Sequence, residues 1–191
     1  MKFFFSGLFF MFLSCDIFQT RDVEIPEDNR SHFYPPLIDT IVIENLKYAI
    51  KEQNVENYIR CFADSNLFGE KFIFIPTIGA QINYQNIFSN WNLNDERMYF
   101  ENICESSEKD SSILSLVEMQ KNIFVDSTKF FFQYEVNFKH NKNFPKFVNG
   151  GLEFVLKKNT TSGLWNIVRW TDFANQNTLI YSWSDWKANF H

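Results

Sequence analysis

The stretch from Thr128 to Asn141 constrains this chain most. Phe130, Phe132, Tyr134, Val136 and Phe138 alternate there with Phe131, Gln133, Glu135, Asn137 and Lys139. Successive strand side chains point to opposite faces, so this pattern makes a strand with one buried and one mostly wet face. Such a strand needs partners, and the flanking sequence supplies them. Ile113 to Val125 reads as one long strand, joined to it by a tight turn at Asp126-Ser127. Lys146 to Lys158 is the next strand, where Asn149-Gly150-Gly151 predicts a bulge or sharp bend. A turn at 159–163 leads into a last strand, Leu164 to Phe173. The chain holds 24 Phe, and because most of those after the first dozen residues alternate along strands, they supply core rather than a low-complexity tract.

Helical periodicity governs the residues before this sheet. Ile41 to Gln53 is amphipathic, with Val42, Leu46, Ala49 and Ile50 on one face and Asp39 or Thr40 able to cap its start. Asn54 caps a second helix carrying Val55, Tyr58, Ile59 and Phe62. Lys71 to Pro76 is a short strand with Phe72 and Phe74 on one side and Ile73 and Ile75 on the other. Tyr84 to Glu105 reads as helix interrupted near Asn92 to Asn94, with Trp91, Met98, Phe100 and Ile103 apolar. A short helix from Ser182 to Phe190 closes the chain. The fold class is therefore α+β: N-terminal helices packed on a curved, mostly antiparallel sheet that forms a cone. The 191 residues suit one such domain, large enough to need no metal or disulfide framework.

Several segments in this order resemble the nuclear transport factor 2-like superfamily, which includes ketosteroid isomerase and SnoaL-like polyketide cyclases. They are Glu44-Asn45-Leu46-Lys47-Tyr48-Ala49, Asn57 to Asp64, Phe72-Ile73-Phe74-Ile75-Pro76, Gly163 to Asp172, Ser182-Trp183 and Trp186-Lys187. The likeness spans residues 37–190 and is similar again to uncharacterised bacterial lipoproteins of that superfamily. It implies a cystatin-like cone and, in the enzymes, an acidic base inside it with Tyr or His. A homodimer is implied by the resemblance alone. The fold hosts enzymes, binding modules and scaffolds, so it does not settle activity.

The N-terminus carries a separate signal. Lys2 is followed by the apolar run Phe3 to Leu13, then Ser14 and Cys15. About eleven apolar residues span only about 16 Å as a helix, too short for a bilayer but fitting a secretory h-region. Phe12-Leu13-Ser14-Cys15 resembles the lipoprotein signal motif, with Phe12 departing from its usual Leu. That resemblance implies cleavage before Cys15 and lipidation of its thiol, with acyl chains holding the protein to a membrane of the bacterial envelope. Residues 1–14 are then the signal, 15–36 a lipidated, proline-bearing tether, and 37–191 the domain. Cys61 and Cys104 remain, either as buried free thiols or, in an oxidising compartment, as a disulfide.

Little in the sequence points to a reaction. The net charge of −5 comes without a basic stripe, which excludes a nucleic-acid partner. No phosphate loop, nucleophile elbow or metal-ligand spacing occurs, and no cofactor is called for. His32 lies in the tether, His140 beside a hairpin turn and His191 at the end, which argues against a histidine base. Among the carboxylates, Glu118, Glu135 and Glu153 lie in strands, the last two on wet faces, and Asp64 ends a helix; Asp172 either reaches the cone's mouth or anchors a backbone group. Tyr58, Trp91, Tyr134 and Trp170, with Asp172, are the residues that line a pocket, if these aromatics are not plain core. The expectation is a membrane-anchored, non-enzymatic cone that binds a small apolar ligand or a protein partner. Its rivals are an isomerase- or cyclase-like enzyme with Asp172 or Asp64 as base, and a structural envelope protein. A cone filled with aromatic side chains would favour the protein partner; an open, dry cavity with a lone carboxylate would favour the enzyme.

Overall fold

The structure, a computed structural model, describes residues 31–175 and 181–191. Helix α1 (Asp39–Lys51) buries Val42, Leu46, Ala49 and Ile50, as its periodicity requires. Its N-cap is Ile38, which makes no side-chain cap, so the expected cap at Asp39 or Thr40 does not form. Asp39 lies inside the first turn instead, where it accepts the Thr40 N–H and pairs with Lys121. The chain turns at Gln53, whose left-handed φ of 51° is fixed by bonds from Nε2 to Glu108 O and Ser112 Oγ. Asn54 then caps α2 (Val55–Ile59) by accepting the Asn57 N–H at 3.0 Å. After α3 (Ser65–Phe68) comes β1 (Ile73–Ile75), with Phe74 buried and the two isoleucines outward.

The helical reading of Tyr84 to Glu105 resolves into two helices, and a further short one that the sequence reading did not include precedes it. In chain order the three are α4 (Ile78–Asn83), α5 (Gln85–Phe88) and α6 (Leu93–Glu105). The interruption falls at Asn92, where a capping box with Asp95 starts α6 afresh.

Strands β2 (Ile113–Ile123), β3 (Ser127–Asn137), β4 (Phe147–Lys158) and β5 (Trp165–Ala174) form antiparallel ladders. The short β1 joins the other side of β5 in parallel, giving the order β1-β5-β4-β3-β2. Phe130, Phe132, Tyr134, Val136 and Phe138 are all buried on one face. The bulge expected at Asn149-Gly150-Gly151 is absent; Gly150 and Gly151 pair in register with Tyr134 and Gln133. Register shifts lie instead at Glu118/Gln120 and Val155/Leu156. Gly150 serves close approach: a Cβ there would stand 2.6 Å from Phe173 O and 2.8 Å from Tyr134 Oη.

The packed body begins earlier than residue 37. Phe33 lies against the core, Tyr34 and Asn45 exchange hydrogen bonds of 2.9 and 2.7 Å, and Trp165 donates its N–H to Pro36 O. Residues 31–36, assigned from sequence to the tether, are thus bound to the domain. The signal, Cys15 and the rest of the tether lie outside the described residues. The chain ends in α7 (Trp183–Phe190), which buries every residue except Asp185 and Asn189.

Candidate functional site

Helix α6 places Glu96 on the same face as Tyr99, Phe100 and Ile103, and all four are buried. Helix α7 places Lys187 one turn beyond Trp183 and one turn before Phe190, again on the buried face. The two charges therefore meet in the interior, each with 0% side-chain exposure. Lys187 Nζ lies 2.5 Å from both Glu96 oxygens. Tyr58 Oη donates to Oε1 at 2.6 Å and Trp91 Nε1 to Oε2 at 2.9 Å. The ammonium also sits over rings, 3.7 Å from the centroid of Trp170, 3.9 Å from Phe74, 5.4 Å from Tyr99 and 5.6 Å from Trp91. Removing two ions from water is expensive, and these donors and ring faces offset the cost. Burial still dominates the lysine: it pulls the amine down to about 8 although the carboxylate opposes it.

A second buried acid docks the start of α7. Asp172 on β5 accepts from Ser184 Oγ at 2.5 Å, Ser184 N at 2.8 Å and Tyr134 Oη at 2.9 Å. Tyr134 Oη in turn accepts the Trp183 N–H at 2.9 Å, and Trp183 Nε1 donates to Tyr99 Oη at 2.7 Å. Burial raises the Asp172 carboxyl, against the pull of these donors and of Lys187. It acts as an anchor for a backbone N–H, the use first weighed against a place at the cone's mouth.

The structure thus brings Tyr58, Trp91, Tyr134, Trp170 and Asp172 together, but around an interior that α7 already fills. Trp170 stands edge-on to Trp183 with centroids 4.5 Å apart. Asp64 is elsewhere, capping α3 through the Asn66 N–H. Cys61 and Cys104 are free thiols, both pushed up by burial, Cys104 to about 12. His140 bonds to Pro145 O, His32 pairs with Glu52, and His191 pairs with Asp95 while packing against Trp91. Among the described residues no group of three His, Cys, Asp or Glu could hold a metal.

Glu96, Lys187 and Ser184 are the residues that sequence reasoning missed. Neither LNDERMYFENICE nor WSDWKANF offers a charge pattern that marks one ionic side chain as buried. The helical offsets to Tyr99, Phe100 and Ile103, and to Trp183 and Phe190, were the readable sign that both point inward.

Open space lies on the surface. A groove of about 730 Å³ runs between α3 with β1 and the start of α6. Phe74 and Trp91 form part of its floor; Asn66, Asn90, Asn94, Lys71 and Arg97 stand in its rim. A second, more apolar groove of about 590 Å³ adjoins it, and the two share Ile59, Asp64, Leu93 and Arg97.

The arrangement of strands and helices is that of solved proteins with the nuclear transport factor 2-like fold. A proposed aromatic ring hydroxylase from Novosphingobium aromaticivorans is 12% identical, with a TM-score of 0.57 over 78% of this chain and 92% of that one. A conserved protein from Planctomyces limnophilus is 10% identical, with a TM-score of 0.54 over 75% and 93%. A nuclear transport factor 2-like superfamily protein from Salmonella enterica is 12% identical, with a TM-score of 0.51 over 73% and 91%. At these identities the likeness defines the fold. No family model matches the sequence, and no curated protein matches it.

Proposed function

We propose that this chain is a lipid-anchored protein of the bacterial envelope whose cone domain binds a protein partner at its surface and catalyses no reaction. One observation carries the binding reading: the interior where related folds hold a reactive acid is occupied by α7, and both buried carboxylates are committed to that helix. A general base needs access to the proton it takes. Glu96 and Asp172 are fully engaged by donors within the fold. The contiguous surface grooves offer the remaining recognition area, with exposed Leu67 on the lip of the second.

The anchor is supported by Lys2, the apolar run Phe3 to Leu13, and Ser14-Cys15. Mass spectrometry of the mature N-terminus checks it: an acylated Cys15 is expected, and an intact Met1 overturns it. Cys15→Ser should move the protein from the detergent-rich to the aqueous phase. For the binding reading, Leu67→Arg should abolish co-purification of an envelope partner while leaving the thermal midpoint unchanged. Retention of the same partner by that variant counts against the groove.

A further inference from the structure

The box around the Lys187 ammonium is built without any residue of α7. Phe74 comes from β1, Trp170 from β5, Tyr99 from α6 and Trp91 from the segment just before α6. Its floor is equally independent: Glu96 is oriented by Tyr58 and Trp91, neither of them in α7. Among the groups that touch the ammonium the helix contributes only the occupant, a primary ammonium on a flexible four-carbon stem, while its Trp183 supports Tyr99 and Trp170 from behind. A rigid ring of aromatic faces above a pre-positioned carboxylate is the chemistry that recognises alkylammonium ions. Independently, Phe74 and Trp91 also line the outer groove of about 730 Å³. They are 6% and 8% exposed, so one layer of rings separates solvent from the ion pair.

We propose that this aromatic box over Glu96 is a binding site for primary alkylammonium groups, that Lys187 is its built-in occupant, and that the outer groove is the path by which an external amine reaches it. The site takes a cation bearing N–H donors, because both Glu96 oxygens are already shaped to receive them. Nothing in it depends on the membrane anchor or on a surface partner. Lys187 acts as a tethered competitor, and its high effective concentration keeps free amines out under ordinary conditions.

Two measurements on the full-length chain test this. In Lys187→Ala, n-butylammonium should raise the thermal midpoint by about 3–6 °C at saturating levels, and isosteric n-butanol should not. The double variant Lys187→Ala/Glu96→Gln should lose the response. If Lys187→Ala does not fold alone, recovery of a cooperative transition with the amine but not the alcohol supports the site, and no recovery overturns it. Equal effects of amine and alcohol, or a response that survives Glu96→Gln, also overturn it. In the unmodified protein, n-butylammonium chloride at about 0.2 M should speed amide exchange several-fold in residues 183–190, whereas sodium chloride at the same strength should not. Unchanged exchange there shows that Lys187 cannot be displaced and refutes the competitor role.

Discussion

Glu96 and Lys187 are separated by 91 positions in the chain, and each is tolerable in the interior only because of the other. Removing one leaves an unpaired buried charge, so Glu96→Ala or Lys187→Ala should each cost about 3–5 kcal/mol of stability. Glu96→Gln/Lys187→Met keeps the volumes and removes both charges, and should cost much less than either single change. Urea denaturation of the three variants checks this; additive losses in the double variant would refute the coupling. The same pair sets a pH dependence. The Lys187 amine titrates near 8 in the fold and near 10.5 when free, so between those values the unfolded chain holds a proton that the folded one has released. Stability contributed by this group therefore rises with pH across that window. Cys61 and Cys104 above about pH 9, and Tyr58, Tyr99 and Tyr134 above about pH 10, are all raised by burial and act in the opposite sense. Comparison with Glu96→Gln/Lys187→Met isolates the lysine below the range where Tyr58 and Tyr99, which Glu96 also raises, begin to titrate: the difference should shift towards the unmodified protein from about pH 7 to about pH 9. Parallel curves would show that Lys187 is not depressed. None of this was legible from composition, because a helix with a few charges on its inner face has nearly the composition of one with all of them outside.

At the scale of elements, what was legible is what depends on periodicity. The alternation in β3 fixed its buried face without help from any other part of the chain, and the single short strand β1 with Phe72 before it behaved likewise. Caps were legible where a side chain closes its own turn, as at Asn54, and missed where tertiary contacts decide, as at Ile38. Gly150 and Gly151 illustrate the limit. Two adjacent glycines in a strand suggest a bulge or bend, yet the ladder keeps its register through them and only one is sterically required. Gly150→Ala would drive a Cβ into Phe173 O and the Tyr134 hydroxyl, loosening the Tyr134–Asp172 bond, and should cost about 1–3 kcal/mol. Gly151→Ala meets nothing nearer than Phe173 Cβ at 3.5 Å, an ordinary contact. That variant should be neutral or gain up to about 1 kcal/mol through the unfolded state. Equal losses from both would mean that backbone freedom, rather than space, explains the pair.

For the whole molecule, the decisive fact is that the last helix in sequence is the central filling in space. The cone itself was inferable from helices followed by long antiparallel strands, and the aromatic residues of WSDWKANF favour internal packing, but no local pattern says that this helix reaches the centre of the cone. The interior closes through contacts between α7 and distant elements. Ser184 reaches Asp172 and accepts the Thr77 N–H, Trp183 reaches Tyr134 and Tyr99, Trp186 reaches Pro145, and Asn102 reaches Phe190 O. Ending the chain at Tyr181 would leave Glu96 and Asp172 in an apolar cone without their principal donors, and would strip the cover from Trp170 and Phe74. The ladders between β2, β3, β4 and β5 make none of these contacts among themselves, so the sheet should survive the loss while fixed side-chain packing does not. The truncated chain is therefore expected to retain most of its far-ultraviolet circular dichroism, lose its near-ultraviolet signal, bind a hydrophobic dye and melt without a cooperative transition. Addition of a synthetic peptide covering residues 182–191 should restore the near-ultraviolet signal, because the box and both carboxylates are supplied by the remainder of the chain. A cooperative melt without the peptide would place α7 outside the folding unit, and the interior would then be an open cavity able to receive a ligand unaided.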